Sequence, residues 1–355
     1  PRFVLAGVLF MVSRPPAGRR SPGASILIAA QPFGFTGPDR PAGWPACRTA
    51  IAGLIYLIGR ASFDHKQKGA RPGKSRSEPD MQIRTVMASL ALDQSNDACL
   101  AVAGDIAERF EARVIGIAAS DVRPPLYFTE GDYAEKLLAD ERAVIETRLS
   151  ELETAFRASL GKRAKALAWR SSLQFPTTYI VDEARAADLL ICARPTEPNS
   201  DSYSFADPND IVMQAGRPVL VVSSAARHLD LRRVLVAWKN TREARRAVFD
   251  ALPLLARARD VTVVEIIEEG DRRANALPSV KDVASWLDTH GVPAEVIVAD
   301  REGNVGAQLE DVAADVGATL VVAGAYGHSR FREWIMGGMT RHLMTQSSRC
   351  VLLSR

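Results

Sequence analysis

Cysteine is scarce in this chain, and the spacing of its four cysteines excludes two common kinds of site. They lie at positions 47, 99, 192 and 350 of 355 residues. No C-x-x-C pair and no cysteine–histidine cluster occurs, so the sequence predicts neither a zinc site nor a redox disulfide. Cys99, Cys192 and Cys350 fall in apolar segments, which favours buried free thiols in a reducing compartment.

Other functional signatures are missing as well. The apolar run at residues 50–58 is far shorter than the roughly 20 residues that span a bilayer, so we predict no membrane partner. No ordered Ser-His-Asp set, useful carboxylate pair or metal motif is recognisable, so we predict no enzyme. The net charge is only +3, and residues 81–355 carry thirty-three basic and thirty-eight acidic residues. These residues therefore have no general excess of basic side chains, and we predict no nucleic-acid partner.

The first eighty residues differ in composition from the rest. They hold ten of the twenty prolines, ten of the glycines, twelve Lys/Arg and only four Asp/Glu, and the chain begins with proline. No helical or strand period persists there. Three interpretations stay open: an upstream translation that precedes a true start at Met81, a disordered basic tail, or a targeting segment. We favour the first, because strand and helix patterns begin directly after Met81.

From residue 81 onward, strand-like and helix-like patterns alternate. Short runs rich in β-branched residues suit strands buried on both faces, and apolar residues every three or four positions between them suit helices. A long, charge-rich helix is predicted at residues 131–160. Predicted strands cover residues 84–90, 114–119, 166–173, 189–193 and 218–223, and then 233–238, 261–267, 294–299, 320–323 and 349–354.

The two sets of five strands form an internal repeat. RTVMAS, from Arg84, aligns with RRVLVA, from Arg232, and ADLLICA, from Ala187, aligns with ATLVVAG, from Ala318. Alternating strands and helices predict the α/β class, with two tandem open parallel sheets, helices on both faces and right-handed crossovers. The predicted domains are residues 81–226 and 229–355, after an extension at 1–80.

A glycine-rich stretch follows the fourth strand of the second half. Residues 319–340 read TLVVAGAYGHSRFREWIMGGMT, with glycines at 324, 327, 337 and 338 and a helical pattern from Thr340. Glycine lets backbone approach a ligand closely, and a helix N-terminus presents free N–H groups and partial positive charge. This order therefore predicts an anion site, most naturally for phosphate. Glycines that only make the turns remain the alternative, and the stretch is not a P-loop.

The spacing Gly324-x2-Gly327-x9-Gly337 resembles the nucleotide loop of the universal stress protein family. That family normally has Ser or Thr after the third glycine and again two places later; here these are Gly338, a departure, and Thr340, a match. The resemblance covers about residues 82–355 and is that of a tandem protein with a Rossmann-like fold. It implies an internal pseudo-dimer in which residues 218–223 and 349–354 meet.

The resemblance also implies a ligand and its contacts. ATP or a related adenine nucleotide would bind the second half, with Gly324, Gly327, Gly337 and Gly338 shaping the cradle and Thr340 contacting phosphate. The first half has RPTEP at the matching place, where prolines lack N–H groups and Glu197 repels phosphate, so no nucleotide is predicted there.

Several side chains near the predicted loop have two interpretations each. Where nucleotide-binding relatives carry an Asp after the first strand, this chain reads Trp238-Lys239-Asn240. Trp238 stacks on a base or covers the end of the sheet, and Lys239 contacts phosphate or lies in solvent. His328 touches phosphate or lies in a surface loop.

The sequence thus predicts a cytoplasmic, nucleotide-binding stress-response switch with an unidentified protein partner. The alternative is an interaction module that binds no nucleotide and acts through its pseudo-dimer surface. Weak ATP hydrolysis and a homodimer of whole chains both stay open.

Overall fold

The computed structural model describes residues 82–123, 132–195, 201–267, 273–326 and 338–355, together with two short strands near the start of the chain. The chain divides into two compact units, Pro1–Arg76 and Ser77–Arg355. In the first unit, β1 (Phe3–Leu5) pairs antiparallel with β2 (Val8–Phe10). All of the architecture below belongs to the second unit.

The second unit repeats one order of elements twice. Each half alternates five strands with four longer helices, as the sequence predicts. The first half consists of β3 (Thr85–Ser89), α1 (Asp97–Phe110), β4 (Arg113–Ala119), α2 (Asp132–Leu160), β5 (Ala166–Ser172), α3 (Pro176–Glu183), β6 (Leu189–Ala193), α4 (Pro208–Gln214) and β7 (Val219–Val222). The second half consists of β8 (Arg233–Ala237), α5 (Arg242–Leu255), β9 (Asp260–Ile267), α6 (Arg273–Thr289), β10 (Ala294–Asp300), α7 (Val305–Asp315), β11 (Leu320–Gly324), α8 (Gly338–Thr345) and β12 (Cys350–Ser354).

The ten strands of this unit form one continuous sheet. Its order is β10-β9-β8-β11-β12-β7-β6-β3-β4-β5, and neighbouring strands are parallel within each half. The two last strands, β7 and β12, pair antiparallel, with Leu352 opposite Leu220. The predicted meeting of the two last strands is therefore confirmed, and the halves are related as in a dimer within one chain.

Side chains from the two faces of the sheet enter two separate apolar clusters. Along β8, Val234 and Val236 join one cluster with α5 and α6, whereas Leu235 and Ala237 join the other with α7 and α8. This division follows from the alternation of side chains along a strand. Because both faces are covered, the strands read as continuous apolar runs, as in β7, where all four residues are buried.

Two local predictions need correction. The sequence suggests Asn240 as the N-cap of α5, with Glu243 completing a capping box, but the cap is Thr241, whose hydroxyl accepts from the Ala244 N–H at 3.2 Å. The Asn240 side chain instead accepts from Arg245. The apolar spacing after residue 280 predicts a helix over residues 280–290, but α6 begins at Arg273 and includes Pro278.

Three cysteines are buried free thiols, as the sequence predicts. Burial raises the pKa of Cys99 to about 12 and also raises the pKa values of Cys192 and Cys350. We therefore expect iodoacetamide at pH 8 to alkylate these thiols at least about a hundredfold more slowly in the native protein than after unfolding in urea, since only the thiolate reacts. Peptide mass spectrometry measures this at each cysteine, and rapid native labelling of Cys99 would contradict the burial of its sulfur.

Candidate functional site

The candidate site lies where the strand order of the second half reverses. Strands β8 and β11 are neighbours, but the chain leaves β8 for β9 on one side and leaves β11 for β12 on the other. The helices that follow them, α5 and α8, pack on opposite faces of the sheet. A crevice at the carboxyl ends of such strands is the usual ligand position in open α/β sheets.

Gly324 ends β11 and allows the start of α5 to approach it. A Cβ on this residue would overlap the backbone nitrogen of Ala244 and would lie 2.6 Å from the carbonyl carbon of Glu243. No side chain fits in that space, so the glycine is required by packing of the helix against the strand. This role for Gly324 exists whether or not a ligand is bound.

Tyr326 and Thr340 join the two described ends of the glycine stretch. Tyr326 has a φ of +60°, a left-handed conformation that is uncommon outside glycine. Its N–H donates to the Thr340 hydroxyl oxygen over 3.5 Å, and Thr340 is only 3 % exposed. A threonine hydroxyl that accepts one hydrogen bond keeps its own proton for a second partner. The Thr340 hydroxyl, which is predicted to contact phosphate, therefore lies at the crevice and already accepts one hydrogen bond.

Gly338 begins α8 and has open space beside it. Among the described residues, no atom lies within 4 Å of the Cβ that a larger residue would carry, and the residue is exposed. A serine, which the family pattern has here, therefore fits without displacing any of these residues. Gly327, Gly337 and His328 lie outside the described residues, so the predictions for them remain predictions.

The phenol of Tyr326 connects this site to the first half. It donates to the side-chain oxygen of Asn209 at 2.9 Å, and the Asn209 amide donates to Asp207, the N-cap of α4. Burial, followed by the charges of Asp207 and Asp210, raises the pKa of Tyr326 to about 12, so the phenol keeps its proton at neutral pH. The sequence analysis missed this link; the only local signal is a tyrosine between two glycines, and its partner lies 117 positions away.

Trp238 lies on the other face of the sheet from Tyr326 and Thr340. It is 7 % exposed, belongs to the cluster of α5 and α6, and its indole N–H donates to the Ser279 hydroxyl at 3.0 Å. Tyr326 packs against the opposite cluster. Of the two interpretations of Trp238, the structure supports the one in which it covers the end of the sheet.

The corresponding edge of the first half is occupied by an arginine. Arg194 aligns with Ala325 of the second half, is 8 % exposed, and donates to the carbonyl oxygens of Arg349 at 2.8 Å and Leu343 at 3.3 Å. Its guanidinium thus hydrogen-bonds backbone of the second half across the antiparallel strand pair. This position of the first half is filled by a contact between the halves.

The part of the chain that the structure describes contains neither a metal site nor a membrane span. Within it, no group of three or more His, Cys, Asp or Glu side chains is placed to hold a metal ion. None of its helices combines the length and apolar character needed to cross a bilayer.

Comparison with known proteins gives a family match for the second half and a similar fold for both halves. Residues 230–355 match the model of the universal stress protein family. A universal stress protein from Archaeoglobus fulgidus superposes with a TM-score of 0.57 at 14 % identity, over 77 % of this chain and 97 % of that one. No curated protein sequence matches the chain.

Two further solved structures have a similar fold. A putative universal stress protein from Pseudomonas aeruginosa has 17 % identity and a TM-score of 0.47, over 77 % of this chain and 93 % of that one. The protein UspA from Lactobacillus plantarum has 16 % identity and a TM-score of 0.30, over 35 % of this chain and 98 % of that one. The Archaeoglobus match shows that the fold extends over both halves, because it includes 77 % of this chain, which is more than one half contains.

Proposed function

We propose that this chain, whose residues 230–355 belong to the universal stress protein family and whose first half repeats the fold, binds ATP or a related adenine nucleotide. The nucleotide would occupy the second half and act as a stress-response switch in the cytoplasm. The observation that carries the proposal is the hydrogen bond from the Tyr326 N–H to the Thr340 hydroxyl. It lies where the strand order reverses, directly beside the start of α8. A helix N-terminus at that place attracts phosphate.

The proposed contacts divide between two kinds of residue. Thr340 donates its hydroxyl proton to a phosphate oxygen, while its oxygen continues to accept from Tyr326. Gly338 contributes a backbone N–H without a hydroxyl. Gly324, Gly327 and Gly337 shape the cradle, although for Gly324 the close approach of α5 already requires a glycine without any ligand.

The switch would act through the contact between the halves. A nucleotide bound beside Thr340 also fixes Tyr326, and Tyr326 holds Asn209 at the start of α4. Ligand binding therefore favours the arrangements in which this hydrogen bond is made, which is a shift of populations. A protein partner that binds the surface of the pseudo-dimer would recognise the shifted population.

We assign nucleotide binding to the second domain, residues 229–355, and not to the first, residues 81–226. The support is Arg194, which fills the position equivalent to Ala325 and is held by two carbonyl oxygens of the second half. We propose binding without catalytic turnover.

An interaction module that binds no nucleotide is the second candidate. It is favoured by the two structural roles described above, since Gly324 serves helix packing and the Thr340 hydroxyl already accepts a hydrogen bond. In that case the glycine stretch serves only as a turn.

Calorimetric titration of ATP into the full chain distinguishes the two candidates. We expect saturable binding, abolished by Gly327→Glu because a carboxylate in the cradle repels phosphate. Thr340→Val should weaken binding about tenfold, the usual effect of losing one hydrogen bond to a charged group. An absence of binding at millimolar ATP would leave the interaction module.

Gly338 offers a matched test of the missing hydroxyl. Gly338→Ser should strengthen ATP binding about tenfold, because it adds a hydroxyl donor for a charged oxygen. Gly338→Ala adds the same Cβ without the hydroxyl and is expected to change the affinity little. An equal gain in both variants would show that the helix backbone, and not phosphate contact, responds to the change.

A further inference from the structure

A cavity of about 570 Å³ opens between α5 and α6, on the face of the sheet opposite to Tyr326 and Thr340. Trp238, Val248 and Val283 form its floor, and all three are buried. The hydrogen bond from the Trp238 indole to Ser279 holds the floor in place. Its volume lies in the range of small-molecule pockets, which are mostly apolar with a few polar groups.

Two aromatic side chains stand at the walls of this cavity and are unusually exposed. Phe249 of α5 is 46 % exposed, and Trp286 of α6 is 36 % exposed. The Trp286 ring is supported from one side by His290, with ring centroids 4.5 Å apart. Exposed aromatic walls above an aromatic floor favour a flat aromatic ligand, which stacks on such rings.

The rim of the cavity carries one charge of each sign, on Arg245 and on Asp282. The Arg245 guanidinium donates to the Asn240 side chain at 2.7 Å. Asp282 is exposed, lines the cavity, and makes no hydrogen bond or ion pair within the described ranges of the chain. The carboxylate is thus available to a cationic or N–H donor group, and cations also bind favourably to aromatic faces.

We propose that this cavity binds a flat aromatic molecule that carries a positively charged amine. The ring lies against Phe249 and Trp286 above Trp238, and the amine faces Asp282. The site is distinct from the proposed nucleotide site, because the cavity lies on the face of α5 and α6 whereas Tyr326 packs on the opposite face, and because the Asp282 carboxylate repels phosphate.

Three indole compounds of similar size test the proposal by calorimetric titration of the full chain. Tryptamine carries an amine cation, 3-methylindole is neutral, and indole-3-propionate carries a carboxylate. We expect tryptamine to bind at least about fivefold more tightly than 3-methylindole, and indole-3-propionate to bind more weakly than both. Saturating ATP should leave the tryptamine affinity unchanged, whether or not ATP binds.

Variants with matched controls on the same helix locate the binding. Trp286→Ala should weaken tryptamine binding about tenfold, whereas Leu277→Ala, which also truncates an exposed apolar residue of α6, should leave it unchanged. Asp282→Asn should remove the preference for tryptamine over 3-methylindole, whereas Asp288→Asn should preserve it. Absence of tryptamine binding at millimolar concentration, equal binding of tryptamine and indole-3-propionate, or an affinity unaffected by Trp286→Ala would each overturn the proposal.

Discussion

Gly324→Ala is expected to lower the free energy of unfolding by about 2–3 kcal/mol, a large cost for one methyl group. The added Cβ would meet backbone atoms at the start of α5, with the Glu243 carbonyl carbon at 2.6 Å and the Ala244 Cα at 2.8 Å. Backbone cannot move aside by changing rotamer, so α5 must shift away from β11. Urea unfolding followed by circular dichroism measures the effect.

Gly338→Ala is the matched control, since it makes the same chemical change at the other described glycine of the stretch. Its Cβ would meet no atom of the described residues within 4 Å, and alanine is the better helix former, so we expect stability to stay equal or to rise by up to about 1 kcal/mol. Equal effects of the two substitutions would contradict the packing role of Gly324. If Gly324→Ala destabilises the protein and Gly338→Ala does not, a loss of ATP binding in a Gly324 variant reflects the displacement of α5 as well as any lost phosphate contact.

The fold was largely predictable because its signals are local and occur twice. Continuous apolar runs such as residues 320–323 suit strands covered on both faces, and the pairing of β7 with β12 is what the resemblance to the universal stress protein family implied. The cap of α5 was harder to predict, since Asn240 and Thr241 are both good N-cap residues. Their roles were decided by a contact outside the motif, between Asn240 and Arg245.

The site was less predictable because its contacts are distant in sequence. The spacing of the glycines placed the stretch at the carboxyl end of β11, but nothing in it shows that Gly324 lies against α5. The hydrogen bond from Tyr326 to Asn209 joins the two halves, and no sequence period relates those positions. Such contacts depend on how the halves pair, which a single sequence specifies only through the completed fold.

Leu352→Asp is expected to cost more than about 4 kcal/mol and to unfold both halves together. Leu352 is fully buried in β12, opposite Leu220 of β7, where the halves share their antiparallel strand pair. A carboxylate there has no partner, and the leucine contacts on that face of the sheet are lost as well. Hydrogen exchange read separately at β6 and at β8 measures whether protection falls in both halves.

Leu352→Asn separates the cost of charge from the cost of changed shape, because asparagine and aspartate differ little in size. Burial raises the pKa of the new carboxyl, so the folded Asp variant binds more protons than its unfolded chain, and its extra destabilisation relative to Asn should shrink as the pH falls. Loss of protection in β8 with full protection retained in β6 would show that the first half is stable without the pairing of β7 and β12. Loss of protection in both strands would show that the two halves unfold as one cooperative unit. Such coupling is the condition under which a ligand beside Tyr326 can influence the first half.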